Sequence, residues 1–246
     1  MLSFNKIMIP CFMIKSLIII LTCSISIFAN QIILVVADDF NSSKAMLERY
    51  EDGILLGDAI EVNIGRHGLG WGLSKIELEH NSSDPIKVEG DGKAPAGIFK
   101  LISAFGYEQN RSLDIAYQKV DKNLICVDDS NSDVYNQIVT LTPVEPKSYE
   151  IMRRDDHQYR FGVVVAHNTS GIKERGSCIF LHIQKSPDSP TAGCTAMSEI
   201  QLREIIGWLN IKKSPTLIQI PSSASKETLK LYPYLKKSKL LAEPID

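Results

Sequence analysis

Charge of one sign is the first thing the sequence lacks. Lys and Arg number 27 against 29 Asp and Glu, a formal net charge of -2. A near-neutral chain has no overall attraction for a phosphate backbone, so charge argues against nucleic acid as a partner. Glycine and proline are also sparse, at 15 and 11 of 246 residues, while 44% of the residues are hydrophobic. That balance excludes collagen-like, low-complexity and disordered chains and fits a folded globular one. No internal period of about 20–50 residues marks a solenoid. Cofactor signatures are missing too. Gly65-Arg-His-Gly68-Leu-Gly70-Trp-Gly72 is glycine-rich but lacks the G-x-G-x-x-G order, and Gly92-Lys93-Ala94 lacks the upstream glycine and the Ser/Thr of a phosphate-binding loop. No cofactor is expected.

Cysteine is the other scarce residue, five in the whole chain. Two of them lie in an N-terminal stretch where Lys6 and Lys15 precede an apolar run from Leu17 to Phe28 that closes on Ala29-Asn30. This is the pattern of a secretory signal peptide. The run is shorter than the roughly 20 apolar residues that cross a bilayer, so cleavage near Ala29 is expected in place of a retained anchor, with no other membrane association. Lipidation at Cys23 is the alternative, disfavoured by the bulk of Thr22 before it. The reading therefore places residues 1–29 in a leader and the mature protein outside the cytoplasm, in the periplasm or cell envelope. Loss of the leader removes two lysines and no acid, which takes the formal charge from -2 to -4. It leaves Cys126, Cys178 and Cys194. An odd number of thiols in an oxidising compartment leaves at least one unpaired, either as a small buried hydrophobe or as a reactive group.

The mature chain reads as mainly β within an α+β class. QIILVVA at Gln31–Ala37 is a strand, and the Ser42/Ser43 caps before KAMLERYE predict a helix, so residues 30–54 form a strand and helix lead-in. Short β-type runs follow at Ala59–Ile64, Ser74–Leu78, Gly97–Ile102 and Leu124–Val127, with glycine and aspartate clusters between them. No helical pattern separates these runs, which argues against a βαβ sheet. Ser148–Asp156 predicts one or two helical turns, and Tyr159–Ala166 a buried strand. Ser198 with Gln201 makes a capping box for a helix through Leu209, whose Leu202, Ile205, Ile206 and Leu209 share one face. Pro215–Ile220 is a last strand. The lysine-rich tail, 221–246, is expected to be a surface appendage.

Candidate chemistry gathers late in the chain. Along Cys178–Ile183 the pleat puts Ile179, Leu181 and Ile183 on one face, expected in the core, and Cys178, Phe180 and His182 on the other, expected to line a pocket. Cys194 stands in the turn Thr191-Ala-Gly-Cys194, just before the capped helix. A thiol becomes a nucleophile beside a histidine, a cation or a helix N-terminus, and Cys194 has His182 twelve residues upstream and a helix downstream. Gly193 permits a tight turn in which the amides of Gly193 and Cys194 stabilise an oxyanion. Two other readings stand beside the dyad: purely structural residues, or zinc held by Cys178, His182, Cys194 and His167. No Cys-x-x-Cys supports the zinc reading. His167, which ends a strand, reads as a hydrogen-bonded structural residue, Cys178 as a buried free thiol, and Asp91–Gly97 as a tight turn, with a substrate rim using Lys93 as its alternative. His67, His80 and His157 receive no role.

These residues carry a family resemblance. His182 with Thr191-Ala192-Gly193-Cys194 resembles the His…[Ser/Thr]-x-Gly-Cys signature of the L,D-transpeptidase catalytic (YkuD) domain. Glu89-Gly-Asp-Gly-Lys-Ala-Pro-Ala-Gly-Ile-Phe99 resembles its upstream loop, and Gly176-Ser-Cys-Ile-Phe-Leu-His182 the histidine-bearing strand of an exported bacterial subgroup that remodels peptidoglycan. The resemblance spans residues 55–220. It implies a β-sandwich with a helix after the cysteine turn, no cofactor, and peptidoglycan stem peptides as partners. Cys194 would attack the L,D bond of a tetrapeptide stem, releasing the terminal D-amino acid and forming a thioester that an amine resolves, or water in a carboxypeptidase or related hydrolase. His182 would move the proton, Gly193 shape the oxyanion turn, and Thr191 orient the imidazole. A wall-binding domain that keeps the fold without catalysis is the non-enzymatic alternative. The sequence departs from the pattern in a shorter His-to-Cys interval and in Ala196, where an arginine often stands.

Overall fold

The computed structural model describes residues 30–241 except 75, 110–111 and 143–145. The proposed leader, including Cys23, and the last five residues of the tail lie outside the described residues. In chain order the elements are β1 (Gln31–Ala37), β2 (Lys44–Glu51), β3 (Ile54–Asn63), β4 (Leu69–Trp71), β5 (Ala94–Gly106), β6 (Tyr117–Lys119), β7 (Leu124–Val127), β8 (Ile138–Thr140), β9 (Tyr149–Ile151), β10 (Phe161–Val165), β11 (Phe180–Ile183), β12 (Thr195–Met197), α1 (Glu199–Trp208), β13 (Thr216–Pro221) and α2 (Ser225–Leu231). The class is mainly β, as expected, with 38% strand and 14% helix among the described residues.

The main sheet closes on itself. Its order runs β10-β11-β12-β3-β2-β1-β13-β5, and β5 pairs back onto β10. The thirteen-residue β5 makes closure possible, because Gly97–Lys100 pairs with β13 while Leu101–Gly106 pairs with β10. The result is a barrel where a sandwich was expected, and closure leaves no open edge among those strands. The barrel interior is aliphatic, with every residue of β1 buried and Ile32 to Ala37 joined by Leu101, Leu181 and Leu217. Helix α1 covers this core with Leu202, Ile205 and Ile206, and its capping box is formed by Ser198 and Gln201.

Four local expectations fail. The predicted helix from Ser42 is strand β2, which turns into β3 through Asp52-Gly53 at φ 52° and 80°. Two consecutive positive φ values make the tight turn that matches strand twist, and this hairpin outcompetes the serine caps. A register shift between Leu47 and Arg49 turns Glu48 inward, where it accepts hydrogen bonds from the hydroxyls of Tyr50 and Ser238, each at 2.6 Å. The tail is consequently no surface appendage, for Leu235 and Leu241 are buried in the core and Ser238 ties it to β2. Ser148–Asp156 holds β9 in place of helical turns, and among the described residues of Ser74–Leu78 an isolated bridge from Ile76 to Ile98 stands where a strand was expected.

A second sheet, β8-β7-β9, stands apart from the barrel. Cys126 on β7 bonds to Cys178 just before β11, across 52 residues of sequence, which corrects the expectation of a buried free thiol at Cys178. Asn136 adds to the attachment: its side chain donates to the carbonyls of His167 and Asn168 and accepts from the amide of Cys178. A disulfide closing a loop of this length limits the unfolded chain by about 4 kcal/mol. The Cys126→Ser/Cys178→Ser double variant is therefore expected to melt well below the parent in a thermal scan. Unchanged melting would show that the polar contacts alone seat the small sheet.

Candidate active site

The site follows from a parallel strand pair. Because β11 and β12 run side by side in the same direction, with Leu181 opposite Thr195, the chain must return through residues 184–194 before β12 begins. Cys194, the residue before β12, is thereby brought beside Phe180, whose amide donates to its Sγ at 3.3 Å. His182 lies two residues further along β11. Both side chains line one cleft of about 320 Å³. As the pleat predicted, Ile179, Leu181 and Ile183 point into the barrel core, while Cys178, Phe180 and Cys194 join a second apolar cluster with Phe105 and Tyr159.

The thiol and imidazole rest uncharged. Cys194 is the free cysteine among the described residues and is 7% exposed. Its S–H faces the carbonyl of Cys178 at 3.4 Å. Burial pushes this thiol up to about 12, helped by the negative charge of Glu150 and opposed by the Phe180 amide, Lys87 and the Tyr159 hydroxyl. His182 is brought down to about 4 by burial. Its Nδ1 lies 2.8 Å from the carbonyl of Ile183, to which it donates, so Nε2 is the basic nitrogen. The arrangement is a neutral thiol and a neutral imidazole with a fixed tautomer.

The turn that presents Cys194 is fixed from both sides. Thr191 Oγ1 donates to the carbonyl of Cys194 at 2.6 Å and accepts from the amide of Gly193 at 3.1 Å. Thr191 thus fastens the cysteine turn, which corrects the expectation that it orients the imidazole. Gly193 shapes the turn as expected, with φ at 156° and with the carbonyl of Lys93 only 3.0 Å from where a Cβ would stand. Its own amide is committed to Thr191, so it is not the oxyanion donor that the sequence reading assigned jointly to Gly193 and Cys194. The helix dipole is remote as well: β12 separates Cys194 from α1 by about 10 Å of extended chain, and dipole effects fade within a helix's first turn.

The loop against Gly193 is the tight turn expected at Asp91–Gly97. Asp91 accepts from the amides of Val88 and Lys93 and pairs with the buried Lys87 at 2.6 Å. Lys93 turns its ammonium to the carbonyl of His67. His167 is structural, for Nδ1 accepts from the amide of Leu73 and Nε2 faces the carbonyl of Arg175 at 2.9 Å. The zinc set is broken because the sulfur of Cys178 is bound in the disulfide. Sequence reasoning missed Glu150, Tyr159, Asp128, Arg154 and Lys87, which give the cleft its polar wall. Their signal is tertiary, since they arrive from strands and loops of both sheets.

Both buried histidines make stability depend on pH. Burial lowers His167 and His182 to about 4, while unfolded histidine titrates near 6.5. Between those values the unfolded chain binds protons that the folded chain refuses, so stability is lost as pH falls through the window, by an amount on the order of 3 kcal/mol per histidine at full effect. Glu51, held down to about 2 chiefly by Lys213, adds its loss only below the ordinary carboxylate range. Glu150, raised by burial, acts in the opposite direction. The melting temperature is expected to fall between roughly pH 6.5 and 4.5, and His167→Asn to flatten that limb. A flat profile in the parent would contradict the assignment.

No family model matches the chain, and no curated protein matches it. Among solved structures it is similar to a point mutant of the helical cell shape determining protein Pgp2 from Campylobacter jejuni, at 14% identity and a TM-score of 0.36. That match covers 83% of this chain and 56% of the Pgp2 chain, so this chain spans a little over half of that protein's length.

Proposed function

We propose that this protein is a cysteine acyltransferase of the exported cell envelope that acts on peptidoglycan stem peptides as an L,D-transpeptidase. The observation that carries the reading is the thiol pairing. Two of the three mature cysteines are joined, and the third, Cys194, lies in a cleft with an imidazole whose Nε2 is basic. The disulfide is in keeping with an oxidising compartment outside the cytoplasm. Together with the TAGC turn and the EGDGKAPAG loop, now seen to abut at Gly193 and Lys93, this supports the resemblance found in the sequence.

In the proposed reaction Cys194 Sγ attacks the carbonyl carbon of the stem's L,D peptide bond as its proton passes to His182 Nε2. The proton leaves sulfur only as the S–C bond forms, because the resting pair is neutral. The amide of Cys194 is the proposed oxyanion donor, Gly193's being engaged by Thr191. His182 then gives the proton to the departing amine, the C–N bond breaks, and the D-amino acid leaves a thioester. An acceptor amine, deprotonated by the same Nε2, resolves it and restores the thiol. Water in place of the amine gives a carboxypeptidase or related hydrolase from the same dyad. Muropeptide analysis of sacculi incubated with the protein tests the reading. The expected result is a change in crosslinks or stem length that vanishes with Cys194→Ala. Sacculi that bind the protein and remain unchanged would instead establish a non-catalytic wall-binding domain.

A further inference from the structure

The small sheet does more than cover the cleft. Glu150 lies on β9 directly across from Cys126, the residue that anchors β7 to the barrel. Its carboxylate accepts a hydrogen bond from the hydroxyl of Tyr159 at 2.6 Å. Tyr159 precedes β10, and the neighbouring Gln158 carbonyl receives the amide of Ile183, so the residue is locked in register beside His182. Its ring meets the His182 imidazole edge-on at 5.3 Å and 73°, and is held there by Phe105 and Phe180. Above it lies the guanidinium of Arg154, 5.1 Å from the ring centre and paired with Asp156. Tyr159 thus touches the proposed base through its ring and the polar wall through its hydroxyl.

We propose that Tyr159, pinned by Glu150, is a positioning residue for the Cys194–His182 couple, its ring setting the plane of the imidazole and its hydroxyl setting the polar boundary of the thiol. The proposal rests on the acyltransferase reading for its catalytic meaning, though its physical content does not need turnover. The pair has opposite electrostatic effects on sulfur. Glu150 brings a negative charge that disfavours the thiolate; the Tyr159 hydroxyl, whose one hydrogen is given to Glu150 beside the resting thiol, favours the thiolate when it turns toward sulfur, and Lys87 lies on the favouring side. Tethered through Cys126, the small sheet delivers the carboxylate that restrains the thiol.

The test compares Tyr159→Phe, which keeps the ring and loses the hydroxyl, with Glu150→Gln, which keeps an acceptor for that hydroxyl and loses the charge. Rates of Cys194 modification by methyl methanethiosulfonate across a pH series report the thiol without any substrate. Glu150→Gln is expected to react faster than the parent at each pH and Tyr159→Phe slower, each by about tenfold, the change one unit in the thiol's titration produces. On a stem-peptide substrate Tyr159→Phe is expected to lower kcat about tenfold to a hundredfold with KM little changed, as misplacement of reacting groups does. Reactivities within twofold of the parent for both variants, or a shift in the same direction accompanied by lower melting temperatures, would overturn the proposal. Opposite shifts without turnover on any stem peptide would support it while removing the transpeptidase reading.

Discussion

Incubated with a carbapenem, the protein is expected to gain one whole drug mass, and its Cys194→Ala variant none. The strained lactam carbonyl is an acyl donor that resembles the proposed amide substrate in what it asks of the site: a sulfur nucleophile, a base, and room in the cleft. Attack by Sγ breaks the ring C–N bond, and the nitrogen stays tethered to the acyl group, so no fragment departs and intact mass spectrometry reads the full addition. The stoichiometry is set by cysteine chemistry. Cys126 and Cys178 hold each other in the disulfide, which leaves Cys194 as the thiol available in the described chain. A buried sulfur held near 12 would be inert if it had to ionise before reacting, so adduct formation at neutral pH would itself argue for proton removal by a neighbouring base. An adduct that persists in Cys194→Ala would move the nucleophile elsewhere. No adduct in the parent would favour a domain that binds the wall without acting on it.

How much of this was legible in the sequence depends on whether the signal is local. Helix α1 was readable because Ser198 and Gln201 cap it within four residues, and β7 because Leu124–Val127 is a bounded apolar run. The Cys194 turn was readable because the thiol, its glycine and its threonine are contiguous. The β2–β3 hairpin was misread where two local signals competed, the serines at 42 and 43 against Asp52-Gly53, and the turn prevailed because β2 could pair on both sides. Barrel closure was invisible, since the alternation along β5 is the same whether its ends join one neighbour or two. The disulfide, at 52 residues' separation, and the Glu150–Tyr159 contact between two sheets have no sequence pattern at all. The roles of Thr191 and Gly193 were half legible: their positions were, but which amide remains available to an oxyanion depended on a hydroxyl rotamer.

Removal of the proposed base is expected to be nearly as damaging as removal of the proposed nucleophile, and it has its own signature. His182→Gln is expected to slow carbapenem acylation at neutral pH by roughly a hundredfold to ten-thousandfold, the usual contribution of general acid–base catalysis. The pH profile distinguishes a base from a structural histidine. In the parent, Nε2 is free of its proton above about 4, so the rate should climb as pH rises through that value and then level off well below the range where the thiol ionises. Without the imidazole, reaction must go through the small thiolate fraction, which grows tenfold per pH unit up to the thiol's own titration near 12, so the variant's rate should rise steadily with pH and approach the parent's only under alkaline conditions. Packing is the confounding effect, because His182 fills space beside Tyr159 and Ile183 holds its Nδ1. A packing defect lowers the melting temperature and depresses the rate by a similar factor at every pH. Two parallel profiles would therefore reduce His182 to a structural role, whereas profiles that converge toward high pH would identify it as the proton acceptor for Cys194.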